Sequence, residues 1–332
     1  MPEDRPERAL IDVATMKGLE IGPLTNPKVR KEEGPVLYLD HASTDDLREK
    51  YSANQQLSSS IDAIVDVDIV QGPGQTLVEA TRATAPFDYI VVAHVLEHIP
   101  DFVGWLAELE EVLAPDGIVS LVLPDMRYTF DLNRRLTDVA DVIDAYLSHL
   151  TQPNYRQMYD WFAHTVTIDG MVDAEGIWAG TIDYSHSVRT DVPNPAVAAY
   201  EECARQAAHR TYLDIHCHAF TPLSFLDIFA TLVELDLVNY EIGAFTDTRP
   251  NAFEFHVSLR TLTPHVPREA MRQRQRSSVE AARLLVRLDP ASAPEHPTDA
   301  STTLTRREVK LLAAAHRLSR LLGRRNTTAT RT

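Results

Sequence analysis

The sequence predicts an α/β fold in which a largely parallel sheet is covered by helices on both faces. Short apolar runs rich in β-branched residues alternate with stretches of helical periodicity, and the runs are almost continuously apolar. Strands of this kind are buried on both faces, as parallel strands separated by helices are. The chain has 332 residues, enough for one large domain or two modest ones with a real core.

Seven strands are predicted, five before residue 124 and two after residue 236. A helix over 101–113 separates the fourth and fifth strands, and Pro115-Asp-Gly117 ends it. Another helix, over 221–235, opens with Thr221-Pro222, a favoured pair of N-cap and first-turn residues. The strands are expected at 17–21, 36–40, 61–70, 87–93, 117–123, 237–245 and 252–259.

Composition divides the chain into four parts. We expect a core at 1–123, a mainly helical insertion that covers the substrate at 124–218, the rest of the sheet at 219–262 and an extension at 263–332. The extension contains two basic helices, at 268–287 and 304–325, joined by a flexible linker rich in Pro, Ala and Ser. Basic helices can bind an anionic membrane or a partner, but packing on the acidic domain or on a second subunit is the favoured interpretation.

The overall charge excludes several classes of protein. The chain carries 48 acidic and 32 basic residues, a net charge of −16, which disfavours binding along a nucleic-acid backbone. It lacks the roughly 20 unbroken apolar residues of a membrane span and the pattern of a signal peptide. Two cysteines are too few for a disulfide scaffold. These observations predict a cytoplasmic protein.

A ligand crevice is indicated where the first strand meets its following turn. The segment LEIGPLTNP, residues 19–27, places Gly22 there, and small residues let a ligand approach the backbone. Asp40 ends the second strand, where a carboxylate can accept both hydroxyls of a ribose. Gly22 alone would fit an ordinary strand, turn and helix, but the whole series predicts a nucleoside-binding crevice.

The segment FDYIVVAHVLEHIPDFVGWLAELEEVLAPDGIVSLVLPD, residues 87–125, resembles class I S-adenosylmethionine-dependent methyltransferases of the type 11 group. The resemblance extends over residues 17–124 and implies a Rossmann-like, seven-stranded methyltransferase sheet with S-adenosylmethionine as cofactor. One departure is that the family's G-x-G-x-G is here Gly22-Pro-Leu-Thr-Asn26. The resemblance implies Glu20 and Gly22 at the methionine end of the cofactor, Asp40 at the ribose, Asp68 to Gln71 at the adenine, and Ala93 and His94 at the sulfonium.

A second group of residues is His94, Glu97 and His98. Positions i, i+3 and i+4 share one face of a helix, and two imidazoles with a carboxylate can bind a divalent cation. The alternative to a metal site is that the negative charge of Glu97 simply stabilises the N-terminus of the helix. The segment is similar to two groups of magnesium-dependent O-methyltransferases, those of the ubiquinone pathway and plant small-RNA 2′-O-methyltransferases. Both carry E-x-x-E-H where this chain has H-x-x-E-H.

The small-RNA group adds a distant histidine before a helix, and this chain has DIHCHAF at residues 214–220. His218 matches that histidine best, and His216 is the alternate. The resemblance therefore implies Mg²⁺ as the ion, with Mn²⁺ also compatible. The implied ligands are His94, Glu97, His98 and His218.

Methyl transfer to a hydroxyl requires that the nucleophile lose its proton. A cation can lower the pKa of the hydroxyl, or a base can accept the proton. His94, His98 and His218 are the candidates for that base, since imidazole titrates near neutral pH.

The predicted insertion would contact the acceptor. Asp125, Arg127 and Tyr128 follow the fifth strand directly and are expected to line the pocket together with His216. Aromatic faces with polar neighbours suit sugar rings, although each aromatic residue taken singly would more often belong to a helical core. The other aromatic and histidine residues of the insertion are Tyr155, Tyr159, Trp161, Phe162, Trp178, Tyr184, His149, His164 and His186.

Taken together, these features predict an O-methyltransferase that acts on a sugar hydroxyl of a saccharide or glycoside. The chain resembles actinobacterial sugar O-methyltransferases such as that of the mycobacterial methylmannose polysaccharide pathway, which implies a mannoside acceptor. Alternatives are methylation of a phenolic, quinone or polyketide hydroxyl, RNA 2′-O-methylation, which conflicts with the acidic charge, and a non-catalytic cofactor-binding regulator. A homodimer is compatible with each of these functions.

Overall fold

The computed structural model describes residues 5–52, 58–166, 172–184, 192–209, 211, 213–262 and 267–288. Its centre is a seven-stranded sheet in the order β3-β2-β1-β4-β5-β7-β6. The first five strands are parallel, whereas β7 is antiparallel to both β5 and β6. The strands are β1 (Gly18–Ile21), β2 (Val36–Asp40), β3 (Ile69–Val70), β4 (Phe87–Ala93), β5 (Leu113–Pro124), β6 (Tyr240–Thr246) and β7 (Glu254–Thr261).

This topology confirms the expected Rossmann-like methyltransferase fold. The strand order reverses between β1 and β4, and ligands of open α/β sheets bind at such a point, outside the carboxyl ends of the strands. The predicted third strand is wrong over most of its length, because Ser58–Ala63 is a 3₁₀ helix and only Ile69–Val70 pairs with β2. Aspartates at 62, 66 and 68 interrupt this run, and aspartate is disfavoured in strands.

The helices are shorter than predicted by one or two residues at most of their ends. In α8, the Thr221 side chain accepts the Ser224 N–H and the Ser224 side chain accepts the Thr221 N–H, which completes a capping box. The predicted basic helix at 304–325 and His186 lie outside the described residues. The helices are α1 (Thr44–Tyr51), α2 (Leu77–Thr81), α3 (Phe102–Glu111), α4 (Val139–Leu147), α5 (Tyr155–His164), α6 (Ala174–Trp178), α7 (Pro195–His209), α8 (Pro222–Glu234) and α9 (Arg268–Leu288).

The sheet is covered differently on its two faces. Apolar residues of α3, α8 and α9 pack with the strands in the main core. A smaller cluster around Tyr38 and Tyr89 is covered by the N-terminal segment, through Leu10, Ile11, Val13 and Met16. The basic helix α9 packs on its own domain, and Arg274 and Arg276 donate to Glu241 and Glu234.

The insertion begins and ends at the same place. Asp125, just after β5, forms a β-bridge with Phe220, just before α8. The returning chain therefore runs beside the turn that follows β4, where the Cys217 and His218 N–H groups donate to the Glu97 carbonyl at 2.7 and 3.1 Å. Residues far apart in sequence are brought together at the carboxyl edge of the sheet.

Candidate functional site

The turn after β1 is shaped by Gly22. Its φ of +66° lies in the left-handed region, and a Cβ there would lie 3.0 Å from Cγ2 of Val95. Glycine adopts this backbone conformation without strain. The following loop is held by the buried Glu20 carboxylate, which accepts the N–H groups of Lys28 and Val29 at 2.6 and 2.9 Å. Burial raises the pKa of Glu20 to about 7, although these backbone hydrogen bonds oppose the shift.

The other predicted cofactor residues lie along the ends of β2 and β3. Asp40 is 5% exposed, and its Oδ1 accepts the His41 N–H at 2.7 Å. Asp68 accepts the Tyr38 N–H and pairs with Lys31. The Gln71 amide donates to the Gln75 carbonyl. Roles at the ribose and adenine stay predictions, and the structure adds that the Asp68 and Gln71 side chains already contact other parts of the chain.

The turn after β4 differs from the predicted helix start. Ala93 ends β4, and His94 follows with φ +54°, so the backbone reverses its twist before the 3₁₀ helix Leu96–His98. His94, Glu97 and His98 therefore do not share one face of an α-helix. His94 Nε2 lies 2.7 Å from Glu254 Oε2, and its Nδ1 lies 3.6 Å from Glu97 Oε1. Burial opposes the charged ring, but the hydrogen bond with Glu254 and the nearby negative charge of Glu97 raise the pKa of His94 to about 9.

A compact cluster forms from Glu97, His98 and His216. One potential ligand atom from each lies within 4.8 Å of the others. Both rings have a carboxylate behind them, since His98 Nδ1 lies 2.9 Å from Asp214 Oδ1 and His216 Nδ1 lies 2.6 Å from Asp131 Oδ2. A carboxylate that fixes the Nδ1 proton leaves Nε2 as the available lone pair, as is common behind metal-binding histidines.

The Glu97 carboxylate is the unusual member of this cluster. Its side chain is fully buried, and neither oxygen has a hydrogen-bond partner within the part of the chain that the structure describes. Burial alone would raise the pKa of Glu97, but the surrounding imidazoles of His94, His216 and His98 lower it, so the group stays ionised. A buried carboxylate without donors is costly. The cluster is thus chemically suited to a divalent cation.

The structure brings His216 to this cluster and places His218 elsewhere, so the alternate histidine takes the position predicted for His218. The His218 ring is buried between Phe102 and Phe220, and its Nε2 lies 3.0 and 3.2 Å from the carbonyls of Ile99 and Pro100. Since carbonyls only accept, Nε2 must donate. Burial lowers the pKa of His218 to about 4. His218 is therefore a neutral residue that holds the 99–100 turn.

The residues after β5 divide between structural and surface positions. Asp125 is fully buried, and its carboxylate accepts hydrogen bonds from Arg127 and the Thr248 hydroxyl, so it does not line an open pocket as predicted. Arg127 lies partly exposed over the Tyr128 ring, which stacks on Trp178 with centroids 4.2 Å apart. Arg127 and Tyr128 stay candidates for acceptor contact.

Four residues of the site were not predicted. Asp131 and Asp214 lie behind the two histidines, and their place could only be found once the insertion was known to fold back beside β4. Phe253 and Glu254 contact His94 from the start of β7. The sequence could in principle have indicated these two residues, because the first residues of an antiparallel strand lie at the same edge of the sheet as the carboxyl ends of the parallel strands.

Comparison with known families agrees with the topology, because residues 14–170 match the family model described as a methyltransferase domain. Over these residues the chain is similar to that family. The match spans β1 to β5 and includes the turn that carries His94, Glu97 and His98. No curated protein sequence matches the chain.

Several solved structures have a similar course of the chain. The CcbJ methyltransferase of Streptomyces caelestis is 11% identical, with 79% of this chain and 97% of that chain covered and a TM-score of 0.37. A Mesorhizobium loti S-adenosylmethionine-dependent methyltransferase is 14% identical (76% and 95% covered, TM-score 0.34). A Rhodobacter sphaeroides protein described as a Zn-dependent alcohol dehydrogenase is 14% identical (79% and 92% covered, TM-score 0.41). Similarity at this level identifies no substrate.

Among the described residues, no helix combines the length and the apolar character needed to cross a bilayer.

Proposed function

We propose that the protein is an S-adenosylmethionine-dependent O-methyltransferase that acts on a sugar hydroxyl with the help of a divalent cation. The observation that carries the proposal is the Glu97 carboxylate, fully buried with no hydrogen-bond partner among the described residues and adjacent to two carboxylate-backed histidines. A cation held by Glu97, His98 and His216 would give both oxygens the partner that the protein does not supply.

The donor set favours Mg²⁺ or Mn²⁺ bound with additional water or acceptor oxygens. Carboxylate oxygen suits both ions, and the two imidazoles shift the preference towards the softer Mn²⁺. Such an ion supplies Lewis acidity, which lowers the pKa of a coordinated hydroxyl. Asp131 keeps the Nδ1 proton of His216 in place and so orients its Nε2 lone pair, and the Asp214 carboxylate lies 2.9 Å from Nδ1 of His98.

His94 contributes a different function. It lies at the end of β4, where the fold places the reacting end of the cofactor, and its ring contacts Glu254 and approaches Glu97. With two carboxylates beside it, His94 holds a proton and presents a cation, so in this state it orients acceptor oxygens rather than removing their protons. His98, whose Nδ1 is held by Asp214, also has a raised pKa despite burial. The hydroxyl proton would therefore pass to solvent water, once the pKa of that hydroxyl is lowered by the cation.

A saccharide acceptor is supported by the surface beside the cluster. Tyr128 and Trp178 stack on each other, and the Trp178 indole donates to the carbonyl of Ala252, next to Phe253. Arg127 lies over Tyr128, and Glu254 follows Phe253. Sugar rings combine apolar C–H faces with polar rims and suit such a mixture. The net charge of −16 disfavours phosphate-rich acceptors, which argues against RNA.

A phenolic or quinone hydroxyl is the second candidate, because the same aromatic rings would also stack on an aromatic acceptor. A methyl-transfer assay distinguishes the two. Mannosides, glucosides, catechols and short RNAs are supplied with labelled cofactor, before and after EDTA treatment and after addition of Mg²⁺ or Mn²⁺. We expect transfer to a saccharide, at least a hundredfold loss with EDTA and recovery with either ion.

Two variants test the ligand assignment, with a matched control. Glu97→Gln and His216→Ala are expected to lose EDTA-sensitive activity, whereas His164→Ala, an exposed histidine on α5, keeps it. Full activity in EDTA would refute the metal role, and transfer to catechols alone would refute the saccharide. Calorimetric titration with S-adenosylmethionine tests the regulator alternative, which predicts binding without transfer to any acceptor.

A further inference from the structure

The start of β7 reaches the reaction edge of the sheet because this strand is antiparallel. Glu254, its first residue, pairs with Pro124, the last residue of β5, so it lies at the same edge as the carboxyl end of β4. Phe253 precedes it in the loop. Neither residue belongs to the motifs that carry the cofactor or to the Glu97, His98 and His216 cluster.

Phe253 is a large aromatic residue that is 46% exposed although it lies beside a buried site. Its ring centroid is 5.8 Å from that of His94. The backbone around it is fixed on both sides, because the Phe253 carbonyl accepts the Asp125 N–H at 2.8 Å and the Ala252 carbonyl accepts the Trp178 indole N–H at 2.8 Å. An exposed aromatic ring on a fixed backbone provides a stacking surface at low entropic cost.

Glu254 adds a polar group next to that surface. Its Oε2 lies 2.7 Å from His94 Nε2, and its Oε1 lies 3.7 Å from His256 Nε2, too far for a hydrogen bond. The side chain keeps 22% of its surface exposed. Oε1 therefore has room to accept a hydrogen bond from a hydroxyl of a ligand that lies over Phe253.

We propose that Phe253 and Glu254 form the acceptor subsite, in which the ring that bears the reacting hydroxyl stacks on Phe253 and a neighbouring hydroxyl donates to Glu254. The inference rests on the proposed function for the reacting group, and it adds which residues select the acceptor. The Glu254 contact requires a second hydroxyl, so vicinal diols are preferred over simple alcohols. The contact with His94 ties the position of the acceptor to the sulfonium end of the crevice.

The test compares Phe253→Ala and Glu254→Gln with wild type, and Tyr200→Ala serves as the control for loss of an exposed aromatic residue elsewhere. Kinetics are measured with methyl mannoside, with its analogue that lacks one vicinal hydroxyl, and with catechol. We expect Phe253→Ala to raise the KM for the acceptor about tenfold, in keeping with the loss of one ring contact. The kcat and the KM for S-adenosylmethionine should change less than about threefold. Glu254→Gln should abolish the preference for the vicinal diol, and Tyr200→Ala should leave all constants unchanged.

The outcomes separate this inference from the proposed function. Transfer to catechol alone, with the same dependence on Phe253, would end the saccharide proposal and leave the subsite standing. Transfer to mannoside with an unchanged acceptor KM in both variants would overturn the subsite and leave the function standing. If the wild type transfers no methyl group, calorimetry measures whether mannoside or catechol binds to the complex of the protein with S-adenosylhomocysteine. Mannoside or catechol binding that Phe253→Ala weakens supports the subsite, and absence of binding to wild type refutes it.

Discussion

Two buried glutamates at the same edge of the sheet have opposite surroundings. Glu20, at β1, is 1% exposed and accepts two backbone N–H groups, whereas Glu97, after β4, is fully buried and has no hydrogen-bond partner among the described residues. The hydrogen bonds of Glu20 are thus supplied by the chain itself. The Glu97 carboxylate, in contrast, is left with two oxygens to which an external ligand can bind. Where a protein leaves a buried polar group without a partner, that group is a candidate for function.

The largest expected effect is at Glu97. In Glu97→Gln, a neutral amide replaces the ionised carboxylate, so metal-dependent activity should fall by at least about a hundredfold. Without metal, the variant should lose little stability, because the Gln amide removes both the desolvation penalty of the buried carboxylate and its attraction to the neighbouring imidazoles. Activity assays and thermal unfolding in EDTA measure the two effects. A strongly destabilised variant in EDTA would mean that Glu97 has a structural role like that of Glu20.

Metal itself should stabilise the wild type. A ligand that binds only the folded state at a concentration of 100 times its Kd adds about 2.7 kcal/mol. We therefore expect added Mn²⁺ to raise the Tm of wild type by several degrees and to leave that of Glu97→Gln unchanged. An equal rise in both proteins would show that Mn²⁺ binds elsewhere.

The carboxylates behind the histidines should have an intermediate effect. Asp131→Asn removes the charge that fixes the His216 ring at 2.6 Å, and such substitutions weaken metal binding about 10- to 100-fold. Mn²⁺ titration followed by thermal shift measures the change in Kd. Arg134 pairs with both Asp131 and Asp160. Asp160→Asn therefore serves as the control and should leave metal affinity unchanged.

The raised pKa of Glu20 should make the stability of the protein depend on pH. This pKa is raised from 4.5 to about 7 in the folded state, so the folded protein retains a proton that the unfolded chain releases in this range. The contribution of protonated Glu20 to the free energy of unfolding is fully present below about pH 4.5 and is lost as the pH rises towards 7. Denaturant unfolding should give a flatter pH profile for Glu20→Gln than for wild type between these values. Identical profiles would contradict the raised pKa.

The smallest effect is expected at Gly22. Gly22→Ala introduces a Cβ in the left-handed region and 3.0 Å from Val95, at a cost of about 1–2 kcal/mol. Chemical denaturation measures this cost. The variant should also bind S-adenosylmethionine more weakly, as calorimetry would record. An unchanged stability would mean that the turn adjusts freely.

The fold could be predicted from sequence because its strands are local apolar runs, and β2 and β4 lie at their predicted bounds. The family match supports the same conclusion for residues 14–170. The cluster was predicted only in part. His98 and Glu97 lie within one short motif, but the choice of His216 over His218 depends on which ring turns towards Glu97 and which packs between Phe102 and Phe220.

Other parts of the site depend on distant pairing. Phe253 and Glu254 reach His94 because β7 runs antiparallel to β5, a relation between segments separated by the whole insertion. Periodicity within either segment carries no information about it. The left-handed backbone of His94 also escaped prediction, because a histidine rarely adopts that conformation and the motif suggested an ordinary helix start.

The bridge between Asp125 and Phe220 brings the two ends of the insertion together, so that it leaves and rejoins the sheet as a module at one place. Recombination that exchanges this module would leave the order of the sheet untouched. His216 and Asp131 would travel with it, whereas Glu97 and His98 would remain with the sheet. In an evolving lineage, a new lid and a new ligand for the proposed cation would thus be acquired in one step, and the choice of acceptor and the choice of ion would be inherited together.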